Sequence, residues 1–328
     1  MNQPAAFNRR ATLGYLAAAA ALVLARPAGA NTPVPDSLKF TVPGSPGGGY
    51  DQTARTLAKA LQAAARIRNV SFENKNGAGG TLGLAQFVNG SAGEAGALCV
   101  MGAIMVTGVV QNKPPVTLAQ TTPVARLFTE YNVIAVRKDA PWRSMAELLQ
   151  AFKAEPTRIT WGGGSKGSVD HIGISQLAAA TGVPLNRLNY IPFGGGGEVV
   201  AATLGGHVSA ITGGYAELAS YVKSGQFRVL AVGAPQRLKG IDAPTLKELG
   251  LDLEIGNWRG VVAAGGLSPA QQQAWVSAIE QAVRTPVWQD ALLANHWTPS
   301  LLTGAAFGHF IDSEHARLRA MLVRAGLL

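Results

Sequence analysis

The sequence predicts an α/β protein, a mostly parallel sheet covered by helices on both sides, and two observations carry that prediction. Short β-branched or aromatic runs alternate along the chain with helical patterns. Five of the joints between them are glycine-rich: residues 44–49, 76–80, 162–168, 194–197 and 213–214. In open α/β sheets such loops lie beyond the carboxyl ends of the strands, where ligands bind.

The elements follow in order. Residues 40–42 read as a strand end closed by Pro43. After the loop, Asp51 is expected as an N-cap. Ala54, Leu57, Ala58 and Leu61 then keep the i, i+3, i+4, i+7 spacing of an amphipathic helix. Phe72 precedes the second loop, and Leu82, Ala85 and Phe87 follow it. Residues 97–102 form an apolar run that reads as a buried strand and holds Cys99, the sole cysteine. A buried structural thiol is expected there rather than a nucleophile. Residues 125–136 are a long β-rich passage, and residues 258–264 are another. Residues 159–161, 190–193 and 210–212 are strand ends feeding the remaining glycine loops, with helical patterns after each. Residues 269–282 and 305–325 read as helices.

The two β-rich passages are read as crossings between two domains: residues 31–130 with 258–328 as domain I, and residues 131–257 as an inserted domain II. Two crossings make a hinge, and hinged domains close around a ligand. Residues 1–30 read as a signal peptide and are set apart from the fold. Arg9 and Arg10 form its positive region, residues 13–24 its apolar run, and Ala28-Gly29-Ala30 its cleavage site. Export by the Sec route or the twin-arginine route is expected, with a periplasmic product.

Composition narrows the function. The net charge is +9, and Arg9, Arg10 and Arg26 of the leader contribute to it. The remaining basic residues are scattered, without a Lys/Arg stripe or interleaved aromatics, so no nucleic-acid partner is expected. A modest positive field attracts anionic solutes. The five histidines lack metal-ligand spacing, so neither a metal nor an organic cofactor is expected. A strand, a glycine loop and a helix N-terminus together present backbone N–H groups and a dipole end to an anion. The candidate ligand-binding residues are therefore Ser45, Gly47, Gly48, Gly49, Tyr50, Asp51, Gly79, Gly80, Thr81, Ser165, Lys166, Ser168, His171, Gly195, Gly196, Thr212, Gly213 and Tyr215. Among these, Lys166 is the cation inside a loop, Asp51 (like Asp170) reads as a cap or loop-fixing acceptor, and His171 as a structural hydrogen-bonding group.

Two enzyme readings compete. Gly163-Gly164-Ser165-Lys166-Gly167 matches the nucleophile elbow of serine hydrolases, with Asp252 and His296 or His309 available for a triad. The sibling loops without a serine elbow favour an amide cradle instead. The same run fits G-x-G-x-x-G, but residues 186–189 lack the ribose-binding acid expected about 20 residues on.

The run Pro46-Gly47-Gly48-Gly49-Tyr50-Asp51-Gln52-Thr53-Ala54-Arg55 resembles the first glycine loop of the tripartite tricarboxylate transporter receptors, the Bug/TctC family. So do residues 76–89, 162–171, 195–208, 224–232 and 257–261, and the similarity covers essentially the whole mature chain. The resemblance implies a type II periplasmic-binding-protein fold, with two α/β domains closing on a carboxylate; without metal-spaced ligands or a convincing triad, no catalysis is expected. The resemblance also implies a membrane permease as partner; a monomer is expected. Gly-Gly-Gly-aromatic-Asp and Asn257-Trp258-Arg259-Gly260-Val261 are similar to the tricarboxylate-receptor branch. Many broader members carry Asp-Asn where this chain has Gly213-Gly214. Without that carboxylate a ligand ammonium would be buried unpaired, so a di- or tricarboxylate such as citrate is expected and an amino acid is not.

Overall fold

The computed structural model describes residues 33–65 and 67–328; the signal-peptide reading of residues 1–30 lies outside them. The first strand, β1 (Ser37–Val42), buries Leu38, Phe40 and Val42. Helix α1 (Gly49–Ala64) packs Tyr50, Ala54, Leu57, Ala58 and Leu61 inward, the stripe that the spacing predicts. Burial of a side chain such as Leu57 contributes about 1.5–3 kcal/mol. Its N-cap is Gly48 rather than Asp51, because Asp51 has moved into the first turn. The chain continues through β2 (Asn69–Asn74), α2 (Thr81–Gly90) and β3 (Ala97–Gly102) to α3 (Ala103–Asn112). All six residues of β3 are buried, as a strand covered on both faces requires.

The long passage is one strand, β4 (Thr122–Arg137). After it come α4 (Met145–Ala154), β5 (Trp161–Gly163), α5 (Val169–Ala180), β6 (Tyr190–Pro192), α6 (Gly196–Leu204), β7 (Ala210–Gly214), α7 (Tyr215–Lys223) and β8 (Phe227–Val232). The return passage is β9 (Gly256–Ala263), followed by α8 (Pro269–Ala282), α9 (Pro286–Asn295), β10 (Thr298–Thr303) and α10 (Gly304–Arg324).

The strands lie in the order β2-β1-β3-β9-β4-β7-β5-β6, with β8 and β10 also pairing β4. The outer pairs, β1 with β2 and β3, and β5 with β6 and β7, are parallel. Every pair made by β4 or β9 is antiparallel. The expectation of a mostly parallel sheet therefore fails at the centre, where the two crossing strands run against their neighbours. The strand β4 changes partner abruptly: Tyr131 pairs with Gly256 of β9, whereas Asn132 pairs with Gly214 of β7. Three apolar clusters flank the sheet. In one of them Phe128 stacks on Trp297 with ring centroids 4.1 Å apart.

Candidate functional site

How the helices begin marks the site. Helices α4, α5, α8 and α9 start at Ser144, Ser168, Ser268 and Thr285, whose hydroxyls accept a backbone N–H. Helices α1, α2, α3, α6 and α7 start at Gly48, Gly80, Gly102, Gly195 and Gly214, which have no side chain to do so. First-turn N–H groups without such a cap are ready to meet an anion. Of the glycine loops read from the sequence, only that before α5 leads into a side-chain cap.

The first loop is held from below. The Asp51 carboxylate is buried, accepts the Gly47 N–H at 2.9 Å, and also accepts Arg55 Nε at 2.8 Å and Asn74 Nδ2 at 3.1 Å. Although burial opposes it, these donors hold its pKa below the usual carboxylate value. Asp51 thus shapes the loop, leaving Ser45, Gly47 and Gly48 exposed at its rim. Tyr50 is buried, its hydroxyl accepts the Met105 N–H at 3.1 Å, and burial pushes its pKa up to about 12. In the second loop Gly80 and Thr81 are buried, and Thr81 Oγ1 donates to Ala78 O.

In the third loop Ser165 and Lys166 are exposed. Gly164 N–H donates to Asp170 Oδ2 at 2.7 Å, Gly167 N–H to His171 Nδ1 at 3.2 Å, and Tyr190 Oη to Gly164 O at 2.8 Å. His171 stacks flat on Tyr190 at 4.1 Å. Burial, with the Lys166 charge adding to it, pushes its pKa down to about 4, so it is a neutral acceptor. Ser168 is buried as the cap of α5. Gly195 is exposed, Gly196 half-buried, and Tyr215 packs into the core edge-on to His296. Thr212 is buried, and Asn132 Nδ2 reaches both it, at 3.4 Å, and Asp170, at 2.6 Å. No hydrogen bond joins Ser165 to a histidine among the described residues, and His296 Nδ1 sits against Lys239 O. Asp252 is almost fully exposed beside Lys247. The hydrolase triad is not assembled in this geometry.

Four further polar residues border these loops: Glu130 and Asn132 on β4, Asn257 and Arg259 on β9. Arg259 is buried, and its guanidinium carbon lies 4.7 Å from the centre of the Tyr50 ring. A Cβ built on Gly49 would stand 2.7 Å from Arg259 Nη2, so the guanidinium would have to shift to admit one. Among the described residues Arg259 Nη1 has no partner, and neither does Asn257 Oδ1. Burial pushes the Glu130 pKa up to about 7; Arg259 pulls against this, and the carboxylates of Glu217 and Asp170 add to it. Charges from both halves of the sheet therefore act on one another here. The available signal was a charged residue inside an apolar β-run, at Glu130 after Leu127-Phe128-Thr129 and at Arg259 before Gly260-Val261-Val262.

A cavity of about 320 Å³ lies elsewhere, on the opposite face of β4 and β9, lined by Arg126, Tyr131, Trp258, Phe310 and Glu314 among others. None of the predicted loops contributes to it. There Trp258 Nε1 donates to Glu314 at 2.8 Å, so successive residues of β9 face different sites.

The glycines differ in tolerance. Gly79 has φ 67°, and a Cβ there would stand 3.2 Å from Gly108 Cα, whereas Gly195 is extended with open space around it. Gly79→Ala is expected to cost about 1–2 kcal/mol of stability, Gly195→Ala at most about 0.5 kcal/mol, read by denaturant unfolding.

The model of the tripartite tricarboxylate transporter family receptor matches residues 52–327. A UPF0065 protein in the gbd 5' region of Cupriavidus necator is 30% identical over 290 residues, 86% of this chain and 85% of its own. A TctC solute-binding protein from Polaromonas is 32% identical, with a TM-score of 0.69 over 88% of this chain and 98% of its own. An R. palustris protein with adipate is 20% identical, with a TM-score of 0.78 over 88% and 97% of the two chains. The fold is accordingly that of the periplasmic binding proteins, and the chain belongs to the tripartite tricarboxylate transporter family of receptors.

Proposed function

We propose that the protein is a periplasmic receptor that captures a small carboxylate and delivers it to the permease of a tripartite tricarboxylate transporter. Residues 31–130 with 258–328 and residues 131–257 act as two lobes, hinged where β4 passes from β9 to β7. The ligand class is that of small di- and tricarboxylates, such as citrate or the adipate that the R. palustris neighbour holds. The leader, read as a Sec or twin-arginine signal, exports the chain, which works as a monomer and turns nothing over.

The observation that carries this reading is Arg259. A buried guanidinium whose Nη1 has no partner among the described residues, set against the uncapped start of α1, supports a carboxylate-binding role there. Fork-shaped Arg and backbone N–H groups are the donors that bind such an anion through short, charge-assisted bonds. A ligand at 100 times its dissociation constant adds about 2.7 kcal/mol to stability. Thermal melts against a panel of small carboxylic acids, with and without an amine, are expected to show such a rise for at least one compound. Ser165→Ala is expected to abolish no ester hydrolysis, because there is none to abolish. A flat panel, or esterase activity lost in Ser165→Ala, would overturn the proposal.

A further inference from the structure

A plain dianion leaves part of the cleft unexplained. Residues 128, 130 and 132 share one face of β4. Phe128 goes into the core, while Glu130 is 9% exposed and Asn132 2% exposed. A Cβ on Gly214 would fall inside the Glu130 carboxylate, and one on Gly196 inside that of Glu217. The acid that Gly213-Gly214 omits is therefore supplied from a neighbouring strand and helix. The expectation that this corner of the site lacks a carboxylate is corrected, since a sequence run shows only its own side chains.

Glu130 accepts no hydrogen bond and makes no ion pair among the described residues. Its cross-strand partner Asn257, 7% exposed, keeps Oδ1 unpartnered. Asp170 is a third carboxylate, already served by Asn132 Nδ2 and Gly164 N–H. Arg259 forms no ion pair with any of the three and lies over Tyr50 instead. Free donors gather at Arg259 and the α1 start, free acceptors at Glu130 and Asn257.

We propose that Glu130 and Asn257 Oδ1, with Glu217 at the solvent edge, form a cation subsite, and that the ligand carries a protonated nitrogen besides its carboxylate. This rests on the carboxylate-receptor reading and narrows its ligand class to amine-bearing acids, making citrate a weaker ligand. An ammonium offers three donors, enough for both free acceptors and Glu217. A second ligand carboxylate would instead meet like charges in a buried setting. A divalent metal suits the place poorly, because no group of three His, Cys, Asp or Glu among the described residues is set to hold one.

Calorimetry on the mature chain at pH 8 tests this with matched pairs: succinate and aspartate, glutarate and glutamate, adipate and 2-aminoadipate, with 4-aminobutyrate as a monocarboxylate. At least one amine-bearing member is expected to bind at least about tenfold more tightly than its amine-free partner. Glu130→Gln should collapse that ratio to about one, and Glu217→Gln, at an exposed position, should reduce it even if the first variant folds poorly. Amine-free members binding equally well or better in every pair would overturn the subsite while leaving the carboxylate receptor standing. So would a ratio that survives in folded Glu130→Gln. Binding by no member of any pair would overturn the receptor reading, and the subsite with it.

Discussion

Arg259→Met is expected to weaken carboxylate binding by at least about 100-fold while leaving the unliganded protein as stable as before, or more so. The two effects have one cause. Arg259 is 6% exposed, has a free Nη1, and forms no ion pair with Glu130, Asp170 or Glu217. A buried charge lacking a close partner is costly, and replacement by an apolar chain of similar length is often neutral or stabilising. Bound ligand reverses the balance. Each charge-assisted bond from the guanidinium to a carboxylate contributes about 1.5–3 kcal/mol. Two such bonds, lost together, account for about 3–6 kcal/mol, and about 2.7 kcal/mol already corresponds to 100-fold. Arg259→Lys should rescue little, because an ammonium lacks the planar fork. Calorimetry and thermal melts on the same preparations check both halves. A folded Arg259→Met that binds within threefold of the parent would remove Arg259 from the site and with it the strongest support for the proposed function.

How much of this was readable in the sequence follows from where the information lies. The stripe of Ala54, Leu57, Ala58 and Leu61 and the solid apolar run of β3 are local patterns, and the structure buries both. Glycine loops before helices are local too. The roles of Asp51 and His171 as loop-fixing acceptors were legible because both bond to backbone within four residues. What failed depends on pairing between distant segments. The antiparallel centre of the sheet comes from β4 meeting β9, more than a hundred residues on. Glu130 looked like a polar interruption and Gly213-Gly214 like an empty place; only the β4–β7 register sets one over the other. Helix α9 and strand β10 went unread because their apolar positions form no clean period, Leu293 for one being largely exposed.

The unliganded protein should lose stability between about pH 4.5 and pH 7 on account of Glu130, and Glu130→Gln should not. Burial pushes this carboxyl up to about 7 from an ordinary value of 4.5, with Glu217 and Asp170 adding repulsion and Arg259 opposing it. Between those values the folded chain keeps a proton that the unfolded chain has released, so stability falls as pH rises. The contribution is fully present below pH 4.5 and gone above pH 7, and at most amounts to roughly 3 kcal/mol. Glutamine copies the protonated carboxyl at every pH. The stability of Glu130→Gln minus that of the parent, read from urea unfolding, should therefore be near zero at pH 4.5 and grow to roughly 2–3 kcal/mol at pH 8. His171 titrates lower, being pushed down to about 4, and cancels in the difference because both proteins carry it. A difference that stays flat from pH 4.5 to 8 would show that Glu130 is not the strained carboxylate described above. Saturating amine-bearing ligand should shrink the difference at pH 8, because an ammonium supplies the partner the unliganded cleft withholds, whereas a ligand with carboxylates alone should not.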